Sequence, residues 1–217
     1  MIRLLIVRHG ETEWNTSGRW QGQIDVPLNA IGRAQAVAVA ERLASETFDA
    51  IYASDLSRAY DTALAVAASH SIPVQADPRL REINLGDWQG LTYAEMAAQH
   101  PDALAHWNAD RINRSAPGGE SLREVGQRLG ALLDHIRCQH APSTESPDDA
   151  STVVLVTHGG TARLILCLLI ECPLDRYWRF EVDNTALAEI ELQDRGPILI
   201  RWNDTHHLTD NHRQTVF

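Results

Sequence analysis

Five short apolar runs rich in Val, Ile and Leu constrain the fold of this chain more than any other feature: Arg3 to Arg8, Ala50 to Ala53, Thr152 to Thr157, Ala186 to Leu192 and Ile198 to Trp202. Each has the length of a buried strand. Between them lie longer segments of helical period, one from about Ala30 to Ala44 with Asn29 as cap and one from about Leu56 to Ala68 with Asp55 as cap. Thr92 with Glu95, and Ser121 with Glu124, have capping-box spacing, so helices are expected to start there as well. Strands alternating with helices predict an α/β fold with a mostly parallel sheet.

The 217 residues are expected to form a single domain over 1–217, with an insertion at about 88–119. The polar, acidic, Pro-containing stretch over 141–151 is expected to be a mobile surface loop. No stretch approaches the roughly 20 apolar residues that a membrane span requires. Three cysteines, Cys138, Cys167 and Cys172, form an odd set without a C-x-x-C pair, which indicates neither a disulfide framework nor a zinc knuckle and suits a reducing cytoplasm.

A formal charge of -10 argues against nucleic acid or an anionic membrane as partner. All 19 cations are Arg, so the lysine chemistry of Schiff-base enzymes and of P-loop nucleotide hydrolases is excluded. Arg33, Arg42, Arg128 and Arg137 fall on expected helices and need no explanation beyond surface charge. Position must decide which other arginines matter.

Two histidines follow strands directly, in Arg8-His9-Gly10-Glu11-Thr12 and Thr157-His158-Gly159-Gly160-Thr161. In an open parallel sheet ligands collect beyond the carboxyl ends of the strands, so the two would meet at one edge. Arg58 follows a third strand end, and Glu82 lies in a loop-like stretch among Arg79, Arg81 and Gly86. Together these residue types suit attack by an imidazole on phosphorus. Arg8, Arg58 and a protonated His158 would neutralise the phosphoryl oxygens without a metal, and Glu82 would protonate the leaving alkoxide.

The segments Arg8-His9-Gly10-Glu11-Thr12-Glu13-Trp14-Asn15, Ser54-Asp-Leu-Ser-Arg58-Ala-Tyr-Asp-Thr62 and Arg79-Leu-Arg-Glu82 resemble those of the histidine phosphatase superfamily, in its phosphoglycerate-mutase-like branch. The resemblance spans nearly the whole chain. It implies a three-layer α/β/α sandwich, no cofactor and no required metal. It also implies that His9 accepts the phosphoryl group, that Arg8, Asn15 and Arg58 bind phosphate, that Glu82 is the proton donor and that His158 is the second pocket histidine. Gln21, Gly22 and the amide of Gly159 fall where such proteins make further ligand contacts. A homodimer is possible by the same resemblance.

Within that branch the expected activity is hydrolysis of small phosphate monoesters, with a cofactor-dependent phosphoglycerate mutase as the alternative. The Thr92 to Ala116 segment is short for a mutase, and Arg111 and Arg114 lack the adjacent pairing of mutase arginines. The phrases Gln21-Gly-Gln-Ile-Asp25 and Leu85-Gly-Asp-Trp-Gln-Gly-Leu91 resemble broad-specificity and glucosyl-3-phosphoglycerate phosphatases, with ribazole-phosphate phosphatases close behind. Two other classes remain. Asp204, His206, His207, Asp210 and His212 have the ligand types of a metallophosphatase site, and a pocket without turnover would be a phosphate-binding module. Trp20, Trp88 and Trp107 are read as core or rim anchors that could also line a substrate mouth.

Overall fold

The structure, a computed structural model, describes residues 1–141 and 150–209. Six strands, β1 (Ile2–Arg8), β2 (Ala50–Ala53), β3 (Val74–Ala76), β4 (Ser151–Thr157), β5 (Leu187–Gln193) and β6 (Gly196–Asp204), form one sheet in the order β3-β2-β4-β1-β5-β6. The first four of that order are parallel, while β5 runs antiparallel to β1 and β6 antiparallel to β5. Sequence periodicity had pointed to five of these strands. The sixth, β3, is three residues long and half exposed at the edge, too short to leave an apolar run.

Among the described residues seven α-helices accompany the sheet: α1 (Glu13–Thr16), α2 (Ala30–Leu43), α3 (Ser57–Ala67), α4 (Tyr93–Gln99), α5 (Pro101–Ala109), α6 (Leu122–His140) and α7 (Gly159–Leu169). Successive strand residues point to opposite faces, so a continuous apolar run is what a sheet covered on both sides requires. Leu4, Ile6, Val153 and Leu155 join a core with Leu129, Leu132 and Ile136 of α6 and Leu164 and Ile165 of α7. Their alternates Leu5, Val7, Val154 and Val156 join a second core with Val39 and Leu43 of α2 and Ala59, Ala63 and Val66 of α3. The result is three layers, helices on both faces of a mixed, mostly parallel sheet.

Local capping follows the sequence in three places. Asn29 accepts from the Gly32 amide, and the Thr92/Glu95 and Ser121/Glu124 boxes are both closed. Asp55 does not cap α3 as expected. Its carboxylate grips Arg81 at 2.7 and 2.5 Å, and the Ser57 amide at the start of α3 donates instead to Asp25 at 2.8 Å. The cap therefore comes from a loop more than thirty residues upstream, which ties that loop to the sheet edge.

Arg33, Arg42 and Arg137 lie exposed on α2 and α6. Arg128 departs from that expectation, because its guanidinium turns inward to Glu120 and to the main chain at Arg79 and Glu82. Most of the expected 141–151 loop, over 142–149, and the tail from Asp210 onward, including His212, lie outside the described residues. Among the described residues no helix is long and apolar enough to cross a membrane.

Candidate active site

The register of β1 against β4 pairs Arg8 with Thr157, so the next residues, His9 and His158, leave adjacent strands side by side. Their ring centroids are 5.1 Å apart, and the His9 amide still donates to the Thr157 carbonyl at 2.8 Å. Both rings are buried. His9 Nδ1 lies 2.6 Å from the Gly10 carbonyl oxygen. A carbonyl only accepts, so Nδ1 carries the proton and Nε2 keeps its lone pair.

Burial, reinforced by the neighbouring Arg58 and Arg8, holds the His9 pKa well below the ordinary imidazole value. His158 is depressed in the same way, by burial first and by Arg58 and His9 next. Its Nε2 pairs with the Ser54 hydroxyl at 2.8 Å. Burial therefore favours the neutral His158 ring over the protonated one expected from the sequence.

That burial has a measurable consequence. The unfolded chain protonates each histidine below about pH 6.5 while the folded one does not, so stability falls as pH drops through that value, by about 1.4 kcal/mol per pH unit per buried ring at full slope. Thermal unfolding of the wild type is expected to lose more Tm between pH 7.5 and 5.5 than that of His9→Asn. Parallel losses in the two proteins would show that His9 is not buried neutral.

Positive charge comes from arginines on three elements. Arg58, in the first turn of α3, is fully buried and donates from Nη1 to the Ile24 carbonyl and from Nη2 to the Gly22 carbonyl, both at 2.8 Å. Gly22 has φ +53°, a left-handed conformation that glycine adopts without strain. Arg8 donates from Nη1 to the Val182 carbonyl at 2.7 Å. Burial pushes the pKa of each guanidinium down to about 10, which leaves both charged at neutral pH. The buried Nε atoms of Arg8, Arg58 and Arg163 have no hydrogen-bond partner among the described residues. Arg163 was not singled out in the sequence, although it lies four residues after Gly159 and helical period places the two on one side of α7.

Glu82 sits at the N-terminus of α7. Its Oε2 accepts from the Gly160 amide at 2.9 Å, and its Oε1 accepts from the Thr161 amide at 3.1 Å, the Thr161 hydroxyl at 3.2 Å and the Ile83 amide at 2.9 Å. The Gly160 and Thr161 amides at the N-terminus of α7 are thus held by a carboxylate of the chain itself. A Cβ on Gly160 would stand 2.6 Å from Oε1, so only glycine admits the carboxylate there.

Arg8, His9, Asn15, Gln21, Gly22, Arg58, Glu82 and Gly159 all line one cavity of about 370 Å³, with His158 packed behind His9. Asn15 Oδ1 accepts from the Thr12 amide at 3.0 Å, and Asn184, unforeseen in the sequence, donates from its side-chain amide to the His9 carbonyl at 2.9 Å. The mouth is aromatic, formed by Trp14, Trp20, Tyr93, Trp107, Tyr177 and Trp178. Trp88 is fully buried and meets Trp107 edge-on at 5.5 Å, so it supports the mouth from below. Arg111 lies over the Trp107 ring at 4.3 Å and faces the cavity, whereas Arg114 turns away to the His106 carbonyl.

Among the described residues no group of three or more His, Cys, Asp or Glu is placed to hold a metal ion. His206 pairs with Asp204 at 2.7 Å, and the His207 ring faces the Thr185 hydroxyl at 3.4 Å.

Paired histidines and converging guanidinium groups at the carboxyl ends of a parallel sheet define an anion pocket of the phosphoryl-transfer class. The chain belongs to branch 1 of the histidine phosphatase superfamily, whose family model matches residues 4–205, and it is a phosphatase of that superfamily. It is 43% identical over 176 residues to a glucosyl-3-phosphoglycerate phosphatase of Mycolicibacterium vanbaalenii, covering 81% of this chain and 77% of that protein. It is 36% identical over 212 residues to a metal-independent phosphoserine phosphatase of Arabidopsis thaliana, covering 96% and 84%. The solved structure of a mycobacterial glucosyl-3-phosphoglycerate phosphatase with VO3 superimposes with a TM-score of 0.82 at 37% identity, covering 94% of this chain and 100% of that one.

Proposed function

We propose that the chain, acting as one domain, is a metal-independent phosphomonoesterase that works through a phosphohistidine on His9. The observation that carries this reading is the 2.6 Å approach of His9 Nδ1 to the Gly10 carbonyl, which leaves Nε2 as an unprotonated nucleophile. In the first step the Nε2 lone pair forms a bond to phosphorus, the ester P–O bond breaks, and the leaving alkoxide takes a proton from the Glu82 carboxyl group. In the second, Glu82 removes a proton from water, the new oxygen bonds to phosphorus, and the N–P bond breaks to regenerate His9 and free phosphate. Arg8 and Arg58 hold the phosphoryl oxygens throughout, Asn15, Gln21, Gly22 and Gly159 complete the lining around the phosphate, and His158 stands against the His9 ring as the second pocket histidine.

For the substrate, two features favour a small phosphate ester that also carries a carboxylate. Phosphoserine and glucosyl-3-phosphoglycerate, named for the two relatives, both have that chemistry. Arg163 and Arg111 supply further cations along the same cavity, and a planar guanidinium fork suits a carboxylate. A panel of phosphoserine, 3-phosphoglycerate, glucosyl-3-phosphoglycerate and ribazole phosphate, scored by kcat/KM beside a mutase assay, tests the reading. Arg163→Ala is expected to raise KM for carboxylated esters at least tenfold more than for p-nitrophenyl phosphate. Equal losses would assign Arg163 to the phosphate instead, and dominant mutase turnover would replace hydrolysis as the activity.

A further inference from the structure

Behind Glu82, on the side away from the cavity, lies a polar cluster that the chemistry described so far does not use. Arg128, in the second turn of α6, donates from Nε to Glu120 Oε1 at 2.9 Å, from Nη2 to Glu120 Oε2 at 3.2 Å, from Nη1 to the Arg79 carbonyl at 2.6 Å and from Nη2 to the Glu82 carbonyl at 3.1 Å. Gln23 donates to the same Glu82 carbonyl at 3.1 Å and to Glu120 Oε2 at 3.3 Å. Glu120 also receives the Asn84 amide at 2.8 Å, and its own amide donates to the Asn84 carbonyl at 2.8 Å. The main chain on both sides of Glu82 is therefore tied to one ion pair.

We infer that Arg128 and Glu120 are positioning residues for Glu82, setting where its carboxyl group stands relative to the leaving oxygen. Three observations carry this. The Glu82 carbonyl accepts two side-chain donors, far more restraint than a loop carbonyl facing water needs. The pair is mostly buried, with 16% of the Arg128 and 23% of the Glu120 side chain exposed, so it is not a screened surface contact. None of Arg128, Glu120 and Gln23 lines the cavity, so an effect on turnover does not come through substrate contact, and a loss that depends on the leaving group separates a displaced Glu82 from the charge of Arg128 acting on His158. A displacement of about 1 Å at a reacting group is enough to cost on the order of 100-fold in rate.

The inference rests on the proposed role of Glu82, and the experiment separates the two. Arg128→Gln, Glu120→Gln and Gln23→Leu are compared with Glu82→Gln on two substrates: phosphoserine, whose alkoxide needs a proton to leave, and p-nitrophenyl phosphate, whose phenolate does not. Glu82→Gln should lose at least tenfold more kcat on phosphoserine than on p-nitrophenyl phosphate, and at least two of the three cluster variants should lose in the same unequal pattern. In a Glu82→Gln background Arg128→Gln should add less than twofold to that inequality. If Glu82→Gln shows the pattern and the cluster variants lose equally on both esters, the positioning role is wrong and the acid role stands. If Glu82→Gln itself loses equally on both, the acid role falls and the positioning role with it. Circular dichroism and Tm accompany each variant, and one that does not fold is left out of the comparison, which the remaining two carry.

Discussion

A single-turnover reaction quenched in alkali is expected to yield protein carrying one phosphoryl group that survives base and is lost in acid. His9→Ala should carry none, and its kcat should fall by at least about 10⁴-fold. The acid lability follows from the N–P bond, because protonation of the imidazole turns it into a good leaving group. The size of the loss follows from geometry. Among the described residues the ring beside it is that of His158, which is fully buried, lines no part of the cavity and has its Nε2 engaged by Ser54. Removing the imidazole leaves the β1–β4 pairing intact, since that depends on main-chain groups, so the variant should remain folded. EDTA should change neither the trapped phosphoenzyme nor the rate. A wild-type protein that turns over but traps no phosphate, or a His9→Ala variant within tenfold of wild type, would remove His9 from the nucleophilic role.

The second large effect is expected at Arg58. Replacing it with Met, which keeps much of the apolar stem, should lower kcat/KM by about 10³-fold on every ester, in line with the worth of an arginine placed against a transferring phosphoryl group. Arg58→Lys should recover little of this. The guanidinium spends two donors on the Gly22 and Ile24 carbonyls and keeps the rest of its fork for the pocket, a division that an ammonium on a flexible stem cannot reproduce. Binding of inorganic phosphate, followed by calorimetry, should weaken in parallel. A Lys variant with near wild-type turnover would mean that Arg58 acts as a point charge and not through its shape.

The residues that the sequence made legible share a physical reason. His9, His158 and Arg58 each follow an apolar strand, and strand ends in a parallel sheet are where chemistry collects, so periodicity alone placed them together. Glu82 was legible from residue type and not from period, as the carboxylate in a loop-like stretch among arginines and glycines, and the family resemblance implies the same role for it. Ser54, Asn184, Asp25 and Arg128 were not legible, since each acts on a residue that local period does not place beside it: Ser54 reaches His158 over 104 residues, Asn184 reaches His9 over 175, Arg128 reaches Glu82 over 46 and Asp25 reaches Ser57 over 32. Asp55 misled for the opposite reason. It has the right spacing for a local cap, and a nearby arginine took it first. The aromatic mouth gathers side chains from four separate segments, none of which announces the others.

The spacing of the two histidines is close to the roughly 4.8 Å that separates neighbouring strands, and both rings stand at the ends of one hydrogen-bonded ladder. The same cavity is lined further out by Tyr93, Trp107 and Arg111 on the α4–α5 excursion and by Tyr177 and Trp178. On the proposed reading most side chains that would select the ester stand apart from the reacting pair, with Arg163 of α7 the exception. Laboratory evolution toward a new ester can randomise that excursion without retuning the pair beneath it. For the same reason, descendants of one ancestral scaffold can diverge in diet while keeping an unchanged engine.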